Sequence, residues 1–374
     1  MDKIKVMAIF GTRPEAIKMA GVVKALEKNE DIDSYVLVSA QHRQMLDSVM
    51  DIFSMKADFD LDIMQKKQTI SQITTKVLNG VFEILDKKLK PDAVLVHGDT
   101  TTAFSAALAA FYSKVPVCHV EAGLRTGNIY SPYPEEMNRR LITELASVNY
   151  APTENNKANL LKENVKEDQI VVTGNTVIDA LHMVIEDNYE FEDKRLSAMD
   201  KSKKNILLTC HRRENWGEPM EDIFKAVAMI ADKYKDINII YPVHPNPSIV
   251  ELAGKMLTRE NILLIQPLEY KEFANLISKV SFVMTDSGGL QEEAPSLGKP
   301  VLVLRTETER PEAVKAGTVK IVGVKTKDVF EYAQRLIEDE EFYSKMSKAV
   351  NPYGDGKASG RIAEDIAKRF AKEN

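Results

Sequence analysis

The sequence is poor in the features that mark secreted, metal-bound or nucleic-acid-binding proteins. It has two cysteines, Cys118 and Cys210, far apart and each inside an apolar run. Such thiols read as buried, and they supply neither a disulfide framework nor metal-ligand spacing. No apolar run reaches membrane-spanning length, and Met1 to Phe10 lacks a signal-peptide cleavage region. A cytoplasmic location away from the membrane is therefore expected. Positive charge is not in excess: 50 Lys and Arg face 56 Asp and Glu, for a net charge of -6. That balance excludes a broad basic surface for nucleic acid. An anionic ligand must then be held by a few local cations and backbone amides. Short-period repeats and low-complexity tracts are missing too.

What is present is a soluble composition, 44% hydrophobic and 28% charged, over 374 residues. That length predicts two to three domains. Apolar runs of strand length alternate with helical patterns: Val6–Phe10, Tyr35–Ala40, Ala93–Val96, Val115–Val120 and Ile170–Val172. After a polar stretch they resume at Ile206–Thr209, Ile237–Tyr241, Ile262–Ile265, Phe282–Thr285, Val301–Leu304 and Val319–Val324. Val, Ile and Leu dominate without polar alternation, as in parallel strands covered on both faces. Strand–helix alternation of this kind predicts a doubly wound α/β fold. The polar stretch, including Glu190–Lys204, reads as a linker. Both halves open alike, with a strand, a polar turn containing Arg, and a helix. We therefore expect two Rossmann-like parallel-sheet domains with a cleft between them. The first spans 1–175, with a C-terminal helix in 356–374 packing back on it; the second spans 176–355.

The unusual motifs follow strand ends, where ligands of such sheets bind. Gly11-Thr12-Arg13-Pro14-Glu15 leads into a helix start that attracts anions, within reach of Arg13 and Lys18. His97-Gly98-Asp99-Thr100 closes a buried strand with an acid, which also suits a helix cap. Glu121 ends the next strand, and a carboxylate there needs a partner, for which Arg125 is available. Two acids in one enclosed site acquire separated pKa values and can act as acid and base. Glu135 and Glu136 favour the start of a helix that carries Arg139. In the second half, His211-Arg212-Arg213 suits a phosphate ester. Asp286-Ser287-Gly288-Gly289, with Glu292 and Glu293 a turn later, suits a diphosphate and a ribose diol. The residues alone reach a two-domain nucleotide-sugar site with converging acids. A glycosyltransferase of this fold, a hydrolysing epimerase and a silent nucleotide-sugar sensor all remain open on that basis.

Taken together and in order, these segments resemble the non-hydrolysing UDP-N-acetylglucosamine 2-epimerases. The resemblance runs from Gly11–Lys18 through Ala40–Asp47, His97–Thr102, His119–Gly127, Ser131–Arg139, His211–Asn215, Val243–Pro247 and Asp286–Leu302 to Thr308–Glu312. It implies the two-Rossmann fold shared with B-type glycosyltransferases, and a homodimer. It also implies reversible inversion at C2 of a UDP-linked amino sugar, without metal or other cofactor. UDP leaves to give 2-acetamidoglucal and then adds back. The catalytic residues so implied are Asp99, Glu121, Glu135 and His211. Substrate and UDP contacts fall to Arg13, Lys18, Arg139, Phe273, Ser287, Gly288, Gly289, Glu293 and Arg310. A second UDP-N-acetylglucosamine is implied as an activator at Gln41, His42, Gln44, Arg212 and His244. The pattern departs at Lys67, where an Arg precedes the Gln-Thr pair in such members; Lys keeps the charge but loses the bidentate fork.

Overall fold

The structure, a computed structural model, describes residues 2–40, 43–65, 67–199 and 203–372. Two compact units emerge. The first holds Met1–Met183 with Tyr353–Asn374, and the second holds Val184–Pro352.

The first unit's strands, among the described residues, are β1 (Ile4–Phe10), β2 (Ile32–Val38), β3 (Phe59–Asp60), β4 (Ala93–His97), β5 (Val117–Val120), β6 (Val148–Ala151) and β7 (Ile170–Val172). They form one parallel sheet in the order β3-β2-β1-β4-β5-β6-β7. Val6 to Phe10 are fully buried, as expected for a strand covered on both faces. Helix Thr101–Tyr112 lies close on the sheet because Ala103, Ala106, Ala107, Ala109 and Ala110 are all buried there. Its start is fixed by the Thr100 hydroxyl, which accepts from Ala103 N at 3.0 Å. Helix Ile70–Lys87 begins with a reciprocal cap: Thr69 Oγ1 accepts from Gln72 N at 3.2 Å, and Gln72 Oε1 accepts from Thr69 N at 2.9 Å.

The second unit repeats the plan with β8 (Lys204–Thr209), β9 (Ile237–Pro242), β10 (Ile262–Ile265), β11 (Phe282–Thr285), β12 (Val301–Val303) and β13 (Val319–Ile321). Their order is β10-β9-β8-β11-β12-β13, again parallel. Helix Glu218–Lys233 buries Met220, Ile223, Phe224, Val227 and Ile230 against this sheet, with the Phe224 ring edge-on to Tyr241. The α/β class expected from the apolar runs is the class observed.

Two readings are corrected. β6 was absent from the expected strands, because Asn149 interrupts its apolar run. The polar stretch at Glu190–Lys204 is laced to the second unit rather than left as a linker. Glu192 N donates to Glu272 Oε1 at 3.1 Å, and Arg195 Nη1 donates to Leu264 O at 3.0 Å. Just before it, Asn275 takes Glu186 N at 2.8 Å and donates to Val184 O at 2.9 Å.

The last helix, Ala358–Arg369, belongs to the first unit, where Ile362, Ala363 and Ile366 are buried. Its start is held by a residue distant in sequence. Asp179 accepts from Ser359 N at 2.7 Å and Ala358 N at 3.2 Å, an anion on the positive end of a helix. Further along, Asp365 accepts from the buried Tyr150 hydroxyl at 2.9 Å. Replacing Asp179 by Ala leaves two buried N–H groups without their acceptor. We expect a loss of about 1–3 kcal/mol in urea denaturation; an unchanged midpoint contradicts this anchoring.

Candidate active site

In each sheet the strand order reverses once, at β1/β4 in the first unit and at β8/β11 in the second. Such reversals open a crevice beyond the strand ends. The first unit's chemistry gathers there. Gly11 leaves β1, His97 to Thr100 leave β4, and Glu121 follows β5. Gly11 is required by close approach: a Cβ there falls 1.9 Å from Ser39 Oγ and 2.8 Å from Thr102 Oγ1.

Glu121 is the centre of the first cluster. Its φ of +63° lies in the left-handed region that a non-glycine residue rarely occupies. Its side chain, 15% exposed, ion-pairs with Lys18, and the same Oε2 lies 3.6 Å from His97 Nε2. Burial pushes the Glu121 carboxyl up, but the Lys18 ammonium and His97 outweigh it and hold the group well below the usual range. Beneath it, burial pushes the His119 imidazole down to about 4. His119 is therefore neutral at pH 7, with Nε2 at 2.7 Å from Gly98 O.

Asp99 is held from the helix Glu135–Leu145. Arg139 Nε and Nη2 both reach Asp99 Oδ2, at 2.9 and 2.6 Å, and Asn138 Nδ2 donates to Asp99 O at 2.8 Å. Glu136, fully buried, accepts from Arg139 Nη1 at 3.0 Å. Glu15 is buried as well. Its Oε2 accepts from Gly11 N, Thr12 N and Thr12 Oγ1 at 3.1, 2.8 and 2.7 Å; its Oε1 accepts from Thr100 Oγ1 at 2.6 Å. Glu15 thus joins the two loops that carry Arg13 and Asp99. Burial raises its pKa despite those donors.

The second unit's crevice is organised by Asp286, which is fully buried at the end of β11. Its Oδ2 accepts from His211 N and Arg212 N, both at 2.9 Å, and from Asn215 Nδ2 at 3.1 Å. Its Oδ1 stands 3.3 Å from His211 Nδ1. Burial lowers the His211 pKa; Asp286 raises it, but His244 and Arg212 lower it further, and the net shift is down. The His211 ring stacks on His244, with centroids 5.9 Å apart. Ser287, Gly288 and Gly289 follow Asp286 and precede helix Leu290–Ser296. A Cβ on Gly288 or Gly289 meets nothing closer than 3.7 Å, so packing does not require glycine there. Absent side chains do leave these amides open to a close ligand.

The structure thus gathers Asp99, Glu121, Lys18 and Arg139 at one unit's strand ends, and His211, Arg212, Ser287, Gly288 and Gly289 at the other's. Arg13 opens helix Arg13–Lys28 and Glu135 opens helix Glu135–Leu145, both half-buried. Phe273 is half-buried on helix Tyr270–Lys279, and Glu293 is half-buried on Leu290–Ser296. Of the activator residues, His244 and Lys67 are exposed, Gln44 lies in helix Arg43–Ile52, and Gln41 and His42 fall outside the described residues.

One partnership differs from expectation. Arg125 does not serve Glu121; it forms a fork on Glu163, at 2.9 and 2.7 Å. Lys18 is that partner instead, because it projects from helix Arg13–Lys28. Arg310 ion-pairs with the buried Glu292. Sequence reading missed Glu15, Glu136 and Asp286 as organisers. Their signal was available: each acid sits at a strand end or first helical turn, where several N–H groups converge.

Two doubly wound parallel units, one with acids and cations at its strand ends and the other with a glycine loop, give a fold of B-type glycosyltransferase class. The fold is shared with the glycotransferase of kitacinnamycin, at TM-score 0.65 with 10% identity over 99% of this chain and 100% of that one. The sequence pattern of the UDP-N-acetylglucosamine 2-epimerase family matches residues 24–367, and the chain belongs to that family. It is 55% identical over 367 residues to the UDP-N-acetylglucosamine 2-epimerase of Bacillus subtilis, covering 98% of this chain and 96% of the relative. The crystal structure of the Neisseria meningitidis UDP-GlcNAc 2-epimerase bound to UDP-GlcNAc superposes with TM-score 0.86 at 50% identity, covering 98% and 100% of the two chains. Among the described residues no helix is long and apolar enough to cross a membrane.

The Lys18–Glu121 pair carries a pH signature. A carboxyl depressed in the fold stabilises above its unfolded pKa, about 4.3, and that contribution is lost as pH falls through the folded value. Lys18→Met should therefore cost stability at pH 7 and progressively less below about pH 4. Carboxyl NMR should show Glu121 titrating higher in the variant. An unmoved Glu121 titration contradicts the pairing.

Proposed function

We propose that the protein interconverts UDP-N-acetylglucosamine and UDP-N-acetylmannosamine by elimination and re-addition of UDP. The observation that carries this reading is the pairing of acids at adjacent strand ends. Glu121 is kept ionised beside Lys18, and Asp99 is aimed by Arg139. One carboxylate removes the hydrogen at C2 as a proton. The C1–O bond breaks, its electron pair leaves with UDP, and a C1–C2 double bond forms in 2-acetamidoglucal. Protonation of C2 from the other face, with UDP returning to C1, gives the epimer. Asp99, Glu121 and Glu135 share the two proton transfers, and each such transfer contributes typically 10²–10⁴-fold.

The second unit stabilises charge on the departing UDP. Ser287, Gly288 and Gly289 offer amides to the diphosphate and Arg310 a cation; Arg13, Lys18 and Arg139 are the first unit's cations for the substrate. Glu293 takes the ribose diol and Phe273 the uridine. His211 assists departure. Its lowered pKa keeps it neutral in the empty site, and an arriving diphosphate raises that pKa. The ring then gains the proton that a leaving oxygen needs. The protein works as a homodimer in the cytoplasm and supplies N-acetylmannosamine units for cell-surface polysaccharide.

The test is incubation with UDP-N-acetylglucosamine alone in deuterated water. Deuterium should enter at C2 of both epimers, and Asp99→Asn should lower that exchange by about 10²-fold or more while UDP still binds. No deuterium at C2 overturns the reading, and stoichiometric release of free UDP replaces it with hydrolysis.

Gln41, His42, Gln44, Lys67, Arg212 and His244 are the residues we propose for binding a second UDP-N-acetylglucosamine as activator. Kinetics with UDP-N-acetylmannosamine should then be sigmoidal or require added UDP-N-acetylglucosamine. Hyperbolic kinetics without it count against the activator site alone.

A further inference from the structure

Glu136 has no place in the chemistry proposed above, yet it is buried without any exposed surface. Its two oxygens face in two directions. Oε2 accepts from Thr126 N at 3.0 Å and Arg139 Nη1 at 3.0 Å. Oε1 accepts from Gly127 N at 3.2 Å and lies 3.6 Å from Arg140 Nη2. Each oxygen of the carboxylate therefore joins one amide of the loop before the helix to one guanidinium. Arg139 turns its remaining edge to Asp99, where Nε and Nη2 converge on Oδ2.

We infer that Glu136 is a positioning residue: it fixes the plane of Arg139 and thereby the carboxylate of Asp99, and it ties the loop 125–134 to that acid. The inference rests on the epimerase reading. A guanidinium is a rigid planar fork, so anchoring one edge sets the direction of the other. Without Glu136 the fork is held only by Asp99 and can swing with it. A misplacement of about 1 Å in a reacting group costs on the order of 100-fold in rate. The loop is braced internally as well. Thr126 Oγ1 donates to Ser131 O at 2.6 Å, and Tyr130 N donates to Asn128 Oδ1 at 3.0 Å. Its stacked Tyr130 and Tyr133 rings are 74% and 64% exposed. Whatever displaces this loop pulls on Glu136 through the Thr126 and Gly127 amides.

The experiment starts with the wild-type protein and C2 deuterium exchange. Its absence there fails the epimerase reading and this inference together. With exchange established, Glu136→Gln should lower kcat about 100-fold while KM for UDP-N-acetylglucosamine stays within about twofold. A folded Glu136→Gln with wild-type kcat, or with a loss confined to KM, overturns the inference. Because Glu136 acts through Arg139, Glu136→Gln combined with Arg139→Lys should lose no more than Arg139→Lys alone. Multiplying losses contradict it. A second arm avoids altering the buried acid. Asp99→Asn weakens the far end of the chain, so hydrogen exchange at the Thr126 and Gly127 amides should quicken. Unchanged exchange at both amides means that loop and acid are not coupled.

Discussion

A carboxylate withdrawn from water needs a cation or a set of N–H donors within hydrogen-bond reach, because its desolvation otherwise exceeds anything packing returns. The sites of this protein are built around that constraint. Glu121 takes an ammonium, Glu136 takes a guanidinium and two amides, Glu15 takes two amides and two hydroxyls, and Asp286 takes two amides and an asparagine. Glu15 and Asp286 draw donors from a loop that leaves another strand, Thr100 after β4 and His211 to Asn215 after β8, and Glu136 draws two from the loop before its own helix. Satisfying the charge and fixing the loops are therefore the same event.

The constraint also separates roles among acids that look alike in sequence. Glu15 is wrapped in donors on both oxygens and has nothing left for a substrate. Glu121 keeps an ionised group at the crevice with only part of its acceptor capacity used. Asp99, 24% exposed at its side chain, is aimed but not enclosed. In the second unit Asp286 is enclosed, and it directs the His211 and Arg212 backbone. Chemistry at C2 calls for acids of the Glu121 and Asp99 kind. Of the first unit's enclosed acids, Glu136 holds Arg139 and through it Asp99, and Glu15 holds Thr100 beside Asp99.

The fold was legible because buried parallel strands have a strong signature: long apolar runs punctuated by polar turns. It failed at β6, where Asn149 breaks the run, although Val148 and Tyr150 are almost fully buried. The polar stretch near Glu190–Lys204 was misread because polarity alone does not show that its backbone finds partners such as Glu272. The site was legible as a set of motifs and opaque as a set of pairs. Spacing suggested Arg125 for Glu121, four residues on and close along the chain. The fold instead brings Lys18 from 103 residues away. Adjacent Glu135 and Glu136 differ in burial for the same reason: one turn of helix faces them in different directions, which sequence alone does not phase.

The central claim is that the acids of the first unit act while the C1–O bond to UDP is broken. It is tested most directly by placing ¹⁸O in that bridging position of UDP-N-acetylglucosamine and following the label by ³¹P NMR during turnover. The account predicts that the label moves from the bridge to the non-bridging oxygens of the β-phosphate as epimerisation proceeds. Epimerisation with the label retained in the bridge contradicts it.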